Sequence, residues 1–233
     1  MKIFHKIFQD KLITFFEMTD SFTDNFTDSI WSIIDQSGAK ANNMLVGEIL
    51  DEYVINHAVL DEFYLNTFND ILHIHANETL LRMMGEFEKV EKDEVHIRSS
   101  WLNVMKRGEF NPLHTHEKND LNLVYFLNDF DSSIESSFGR NNKSRFFDLG
   151  TKTTSTDASY KGCHVIIRNN ELMNILPRKN FGVIYDWDLI HTVYPFDKNE
   201  ARLTFVMNII LGKTTNRFGE WEYTNLPHER GYD

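Results

Sequence analysis

From Val95 to Leu211 the chain is a succession of short apolar or alternating runs, each closed by turn residues. The β-type runs are 95–105, 121–127, 144–148, 163–168, 172–176, 182–187 and 202–211. Turn signals separate them at Lys106–Glu109, Asn128–Ser133, Asn141–Asn142, Arg178–Gly182 and Asp197–Glu200. Strands spaced this way predict an antiparallel sandwich or jelly roll. Upstream the period changes. Asp20–Gly38 reads as a helix: Thr19, Asp20 and Ser21 offer caps, Phe22, Phe26, Ile30, Ile33 and Ile34 form a stripe, and Gly38 stops it. Ala58–Met84 has helical spacing through Leu60, Tyr64, Phe68, Ile71 and Leu72, as one helix or two. Residues 45–56 read as a strand and Glu86–Glu94 as a charged connector, while residues 1–18 fit helix and strand equally. The fold class expected is mainly β with N-terminal helices against one sheet. A single domain, 1–233, is expected, with helical support in 1–94, a β core in 95–213 and a tail in 214–233.

Composition narrows the function. With 41% hydrophobic residues and 19 Phe, the chain can build a substantial core. A net charge of −11 argues against a nucleic-acid partner, which would require a basic face. Cys163 is the only cysteine, so neither an intramolecular disulfide nor a cysteine-based zinc cage is available. No run approaches the ~20 apolar residues of a membrane span. The opening MKIFHKIFQDKLITFF is broken by His5, Lys6, Asp10 and Lys11 and does not read as a signal peptide. The expectation is a cytoplasmic protein without a membrane partner.

The candidate chemistry lies in two places. His114 and His116 are one residue apart in GEFNPLHTHEKND, six residues past Gly108. His191 lies far downstream in YDWDLIHTVYP, and Arg202 follows eleven residues later at the head of RLTFVMNIIL. On a strand, residues i and i+2 share a face, so His114 and His116 could chelate one ion. His191 would complete a facial set and leave positions open for substrate and O2. Asp188 could orient His191, and Asp188 and Glu117 are themselves weaker ligand candidates. His73 and His75 are also an H-x-H pair, but helical residues at i and i+2 do not share a face. His5, His57, His96, His164 and His228 show no partner pattern and read as structural or exposed. Arg202 offers a rigid fork for a carboxylate, and Thr204 faces the same side.

These residues resemble the Fe(II)/2-oxoglutarate-dependent dioxygenase superfamily, nearest its prolyl 4-hydroxylase-like branch and related phage and bacterial oxygenases. The likeness rests on Gly108-Glu109-Phe110 through His114-Thr115-His116, the strand Val124–Asn128, and His191 with Arg202 and Thr204. Trp101, Asn103, Gly108, His114, His116 and Tyr125 fit the W-x-N…G…H-x-H…Y-x-L layout of the phage and bacterial relatives, and the likeness spans residues 95–212. The resemblance implies a double-stranded β-helix (jelly roll) buttressed by α-helices, with Fe(II) and 2-oxoglutarate as cofactors. His114, His116 and His191 would ligate the metal. Arg202 and Thr204 would hold the far carboxylate, and Tyr125 and Asn103 would hydrogen-bond the cosubstrate. O2 and a peptide, amino acid or other small molecule would be the further partners, and succinate a product. One departure stands out: His116 occupies the place of the family's usual carboxylate ligand. Three-His sets occur in cupin-type dioxygenases that need no 2-oxoglutarate, so that reading stays open, as does a non-catalytic metal-binding jelly-roll module. The polar stretch Asp129–Lys161 reads as a loop over the mouth of the fold.

Overall fold

The computed structural model describes residues 1–37, 40, 49–84, 89–129, 147–150, 162–195 and 199–212. The chain opens with a hairpin, β1 (Lys2–Phe8) and β2 (Lys11–Glu17), turning at Gln9–Asp10 with Gln9 at φ +56°. Helix α1 (Asp20–Ser37) follows, with the Thr19 hydroxyl accepting from the Phe22 N–H at 3.3 Å. After β3 (Asp51–Val54), α2 (Glu62–Thr79) starts at Asp61, whose carboxylate accepts from the Phe63 N–H at 2.8 Å. The remaining strands are β4 (Val95–Met105), β5 (Asn111–His114), β6 (Leu121–Phe126), β7 (Phe147–Gly150), β8 (His164–Arg168), β9 (Glu171–Ile175), β10 (Phe181–Asp186), β11 (Ile190–Val193) and β12 (Arg202–Leu211).

They form two antiparallel sheets. The larger has the order β1-β2-β10-β6-β12-β4-β3 and the smaller β5-β11-β8-β9-β7. Alternation along each large-sheet strand sends one set of side chains outward and the other between the sheets. Outward, Leu121, Leu123, Tyr125, Phe205, Met207 and Ile209 pack with Phe26, Ile30 and Ile33 of α1 and Phe68, Ile71 and Leu72 of α2. Inward, Phe15, Trp101, Val124, Phe126, Val183 and Val206 meet Ile166, Met173 and Ile175 of the small sheet. Each fully buried Phe or Ile in these layers contributes about 1.5–3 kcal/mol. The helices thus brace the outer face of the large sheet, as expected from the sequence, and leave the inter-sheet space to the site.

The ambiguity of residues 1–18 has a physical cause. β2 is buried on both faces, so it reads as the unbroken apolar run Leu12–Phe16 instead of alternating. The expected strand 45–56 reduces, within the described residues, to β3, and α2 ends in a π-helical turn at Leu80–Met84. β4 and β12 coincide with the expected 95–105 and 202–211. Two strands were not expected at all, β5 and β11, each four residues long. Apart from β7, the polar stretch lies outside the described residues beyond Asp129, and so does the tail from residue 213.

The His73/His75 pair sits on α2, where only His75 turns fully into the core. Its Nδ1 is 2.7 Å from the Thr14 hydroxyl, which is 2.8 Å from His5 Nδ1. Burial pushes the His75 imidazole down from an ordinary 6.5 to about 3. The unfolded chain therefore takes up a proton near pH 6.5 that the folded chain refuses, and this residue's stabilising contribution, fully present above pH 6.5, is lost as the pH falls. Urea melts of wild type and His75→Gln should differ by about 2 kcal/mol less at pH 5 than at pH 7. Gly182 of β10 lies under the Phe16 ring, where an added Cβ would stand 2.0 Å from Cζ. Gly182→Ala should cost about 1–3 kcal/mol in the same assay, through displacement of that ring.

Candidate metal centre

The turn after β4 is made by Gly108 at φ +87° and fastened by Glu109, whose carboxylate accepts from the Lys106 N–H at 2.6 Å and the Leu50 N–H at 3.2 Å. It delivers β5 against β11 in a register that sets His114 directly opposite His191. His116 lies two residues past His114, beyond the end of β5, and its N–H donates to the Trp187 carbonyl at 3.3 Å. A bond between two loops, rather than strand alternation, thus brings the third imidazole in. The ring centres are 4.2 Å apart for His114 and His191, 4.9 Å for His116 and His191, and 5.0 Å for His114 and His116. One ligand atom from each ring lies within 4.8 Å of the others.

The hydrogen bonds fix which nitrogen is available. Nδ1–H of His114 donates to the Pro112 carbonyl at 2.7 Å, that of His191 to the Leu189 carbonyl at 3.0 Å, and that of His116 to Asn208 Oδ1 at 2.8 Å. With each Nδ1 carrying the proton, each Nε2 presents a lone pair. His116 Nε2 and His191 Nε2 approach to 3.1 Å. Two lone pairs at that distance repel unless a cation lies between them, so the donor set fits a divalent metal with imidazole preference. Burial pushes all three imidazoles below their ordinary range, His116 to about 4. They are therefore neutral and ligand-ready at neutral pH. Trp101 stacks on His116 at 5.9 Å and 12° and forms its shelf.

The inner face of the large sheet supplies the rest. Arg202 opens β12, is 3% exposed, and leaves Nε and Nη2 without a hydrogen-bond partner. Its Nη1 reaches only Met105 Sδ at 3.9 Å, and its guanidinium lies 5.2 Å over the Phe126 ring. Burial lowers it to about 10, which still leaves it charged at neutral pH. Among the described residues no carboxylate pairs with it. A buried, uncompensated cation costs several kcal/mol, and an incoming carboxylate relieves that cost. Thr204, two residues on, is 1% exposed with an unpartnered hydroxyl, and Asn103 stands opposite it in the register with an unpartnered Oδ1.

Tyr125 is elsewhere. The register sets Phe126 opposite Thr204, so Tyr125 faces outward, its hydroxyl 2.5 Å from Thr23 Oγ1 and its ring against Phe16 at 5.6 Å. Its expected contact with a cosubstrate is corrected by that parity. Asp188 is held by Lys11 at 2.9 Å, and His191 is oriented by a backbone carbonyl instead. Glu117 is exposed, and neither carboxylate joins the histidine group. Sequence reasoning missed Asn208 and did not single out His164. Asn208 is the polar exception in VMNIIL on the inner face of β12, and its Nδ2–H donates to Ser99 Oγ at 3.2 Å. His164, taken as structural or exposed, is 3% exposed, with its ring centre 5.3 Å from that of His191.

Residues 99–208 match a family model described as "Putative 2OG-Fe(II) oxygenase". Over that stretch the chain is similar to the 2OG-Fe(II) oxygenases. Such enzymes are oxidoreductases that use Fe(II) and 2-oxoglutarate, and the three-imidazole cluster and the unpaired Arg202 suit that pair. No curated protein matches the chain. Among solved structures it is similar to a prolyl-4-hydroxylase of Pseudomonas putida, at 12% identity and TM-score 0.55, over 85% of this chain and 92% of that one. It is similar to a prolyl hydroxylase from Trichoplax adhaerens, in complex with a hypoxia inducible factor oxygen degradation domain peptide fragment, at 13% identity and TM-score 0.54, over 89% and 87%. A non-heme alpha-ketoglutarate-dependent carbocyclase of nogalamycin biosynthesis gives 10% identity and TM-score 0.51, over 90% and 86%. At these identities the likeness is one of fold, and it agrees with the two-sheet jelly roll described above. Among the described residues no helix is long and apolar enough to cross a membrane.

Asn208→Leu removes the acceptor that sets the His116 tautomer. Metal affinity, read by anaerobic Co(II) titration, should fall about 10- to 100-fold with little change in thermal stability.

Proposed function

We propose that this chain is a non-heme dioxygenase that couples oxidation of 2-oxoglutarate to hydroxylation of a C–H bond in a peptide, amino acid or other small molecule. One oxygen atom of O2 enters succinate, released with CO2, and the other enters the hydroxylated product. His114, His116 and His191 would hold Fe(II) through Nε2. Arg202, joined by Thr204 and Asn103, would take the far carboxylate of 2-oxoglutarate. The observation that carries this reading is the unpaired, buried guanidinium of Arg202 on the same inter-sheet face as the orphaned Thr204 hydroxyl. When bound, the iron would supply O2 activation. The chain's own residues do the rest. Nδ1–H bonds to Pro112, Leu189 and Asn208 hold the three rings in the ligating tautomer. Trp101, Phe126 and Val206 line the inner face with apolar surface that keeps water from the reacting centre. A peptide is the first substrate class to screen, because a structural neighbour binds one.

His116 in the carboxylate's place supports a second reading, a three-His dioxygenase that needs no 2-oxoglutarate, and one experiment separates the two. Fe(II) and then 2-oxoglutarate are added to the metal-free protein without oxygen, and visible absorption is followed. The weak charge-transfer band of a 2-oxo acid chelated to Fe(II) should appear. Arg202→Ala should raise the 2-oxoglutarate concentration for half-saturation roughly 100-fold. On admitting air, slow succinate formation should follow even without a prime substrate. Iron binding with neither band nor succinate would transfer the assignment to the three-His dioxygenase.

A further inference from the structure

Two further buried polar groups, one on each sheet, lie beside the histidine cluster. His164 begins β8, opposite Val193 in the register and one strand step from the level of His191. Its Nε2 is buried without a hydrogen-bond partner. Tyr185 of β10 is fully buried, and its hydroxyl is also unpartnered. The two rings lie 5.5 Å apart, and each lies close to His191, Tyr185 at 5.2 Å and His164 at 5.3 Å. His164 also lies within electrostatic reach of Arg202. A buried hydroxyl or imidazole nitrogen left unpaired costs about 1–3 kcal/mol. Two such groups beside His191, in the inter-sheet space that also holds the orphaned Arg202 and Thr204, call for a common polar occupant. Packing alone does not account for them: Phe in place of Tyr185 and Leu in place of His164 would fill the space without that cost.

We propose that His164 and Tyr185 are cosubstrate-binding residues, donating hydrogen bonds, His164 from the small sheet and Tyr185 from the large, to a 2-oxo dicarboxylate held between the three histidines and Arg202. The inference rests on the proposed use of 2-oxoglutarate and adds a second wall to its pocket. Arg202 and Thr204 approach the ligand from the large sheet. His164, kept uncharged by burial and by the nearby guanidinium, approaches from the small sheet, and Tyr185 of β10 adds a large-sheet hydroxyl beside His191. A dianion would then be gripped by both sheets, which fixes its orientation as well as its charge.

The test uses the full chain loaded with Mn(II), which binds such sites without turnover, and measures 2-oxoglutarate affinity by calorimetry for wild type, Tyr185→Phe, His164→Leu and Arg202→Ala. Mn(II) affinity is measured separately for each. Tyr185→Phe removes one oxygen and should leave the fold intact. The expected result is about a tenfold loss of 2-oxoglutarate affinity for Tyr185→Phe and for His164→Leu, a larger loss for Arg202→Ala, and Mn(II) affinity within about twofold of wild type throughout. Wild-type-like 2-oxoglutarate binding by both Tyr185→Phe and His164→Leu would overturn this assignment and leave the proposed function standing. A parallel loss of Mn(II) affinity would overturn it by making the two residues supports of the histidine cluster. A wild-type protein that takes Mn(II) but no 2-oxoglutarate would overturn both this assignment and the function beneath it.

Discussion

Three neutral imidazoles with their lone pairs aimed at one point repel one another, and the architecture serves to hold them there. Each ring is locked by a different device. His114 and His191 are each tied to a carbonyl two residues before them, so the local backbone sets their tautomers. His116 has no such local acceptor and depends on Asn208 of β12, across the inter-sheet space. The cluster therefore couples the two sheets. The turn between β10 and β11 joins in, since the Trp187 carbonyl holds the His116 backbone while the Trp187 N–H donates to the Asp120 carbonyl at 3.1 Å. A cation at the centre would turn the mutual repulsion into shared attraction, so metal binding and closure of the sandwich are linked.

The second constraint is charge. The inner face of the large sheet carries an arginine deep in a region otherwise lined by Phe126, Val124, Val206 and Trp101. Such a residue weakens the apo fold unless something anionic shares its space. The chain accepts that cost at the head of β12, opposite Met105 of β4. A recognition group built there is more accurately placed than one on a loop.

Much of the fold was legible because its large-sheet strands are long enough to carry a pattern: β4 and β12 could be read to the residue. The strands that carry His114 and His191 were not legible. Asn111–His114 and Ile190–Val193 are too short for alternation to rise above noise, and one contains Pro112. The histidines could still be found, because H-x-H spacing and the later His and Arg do not depend on knowing the strands. Tyr125 shows the limit of that route. It lies one residue from Phe126, which does face the interior, and only the β6–β12 register decides which of the two reaches the site. His164 and Asn208 were hidden for the opposite reason: each is a lone polar residue in an apolar strand, a signal that acquires meaning only when its neighbours across the sheets are known.

The first hairpin has a consequence for how this molecule comes into being. β2 pairs with β10, so residues 11–17 complete their place in the sheet only when residues 181–186 arrive. Lys11 then meets Asp186 at 2.8 Å and Asp188 at 2.9 Å in the turn that leads to His191. During synthesis β2 must wait, with one apolar edge unpaired, until β10 has left the ribosome. All three histidines lie downstream of the hairpin, yet the turn that delivers the last of them is clamped by Lys11 of β2. Assembly of the histidine cluster is thereby a report that β2 and β10 have closed on each other.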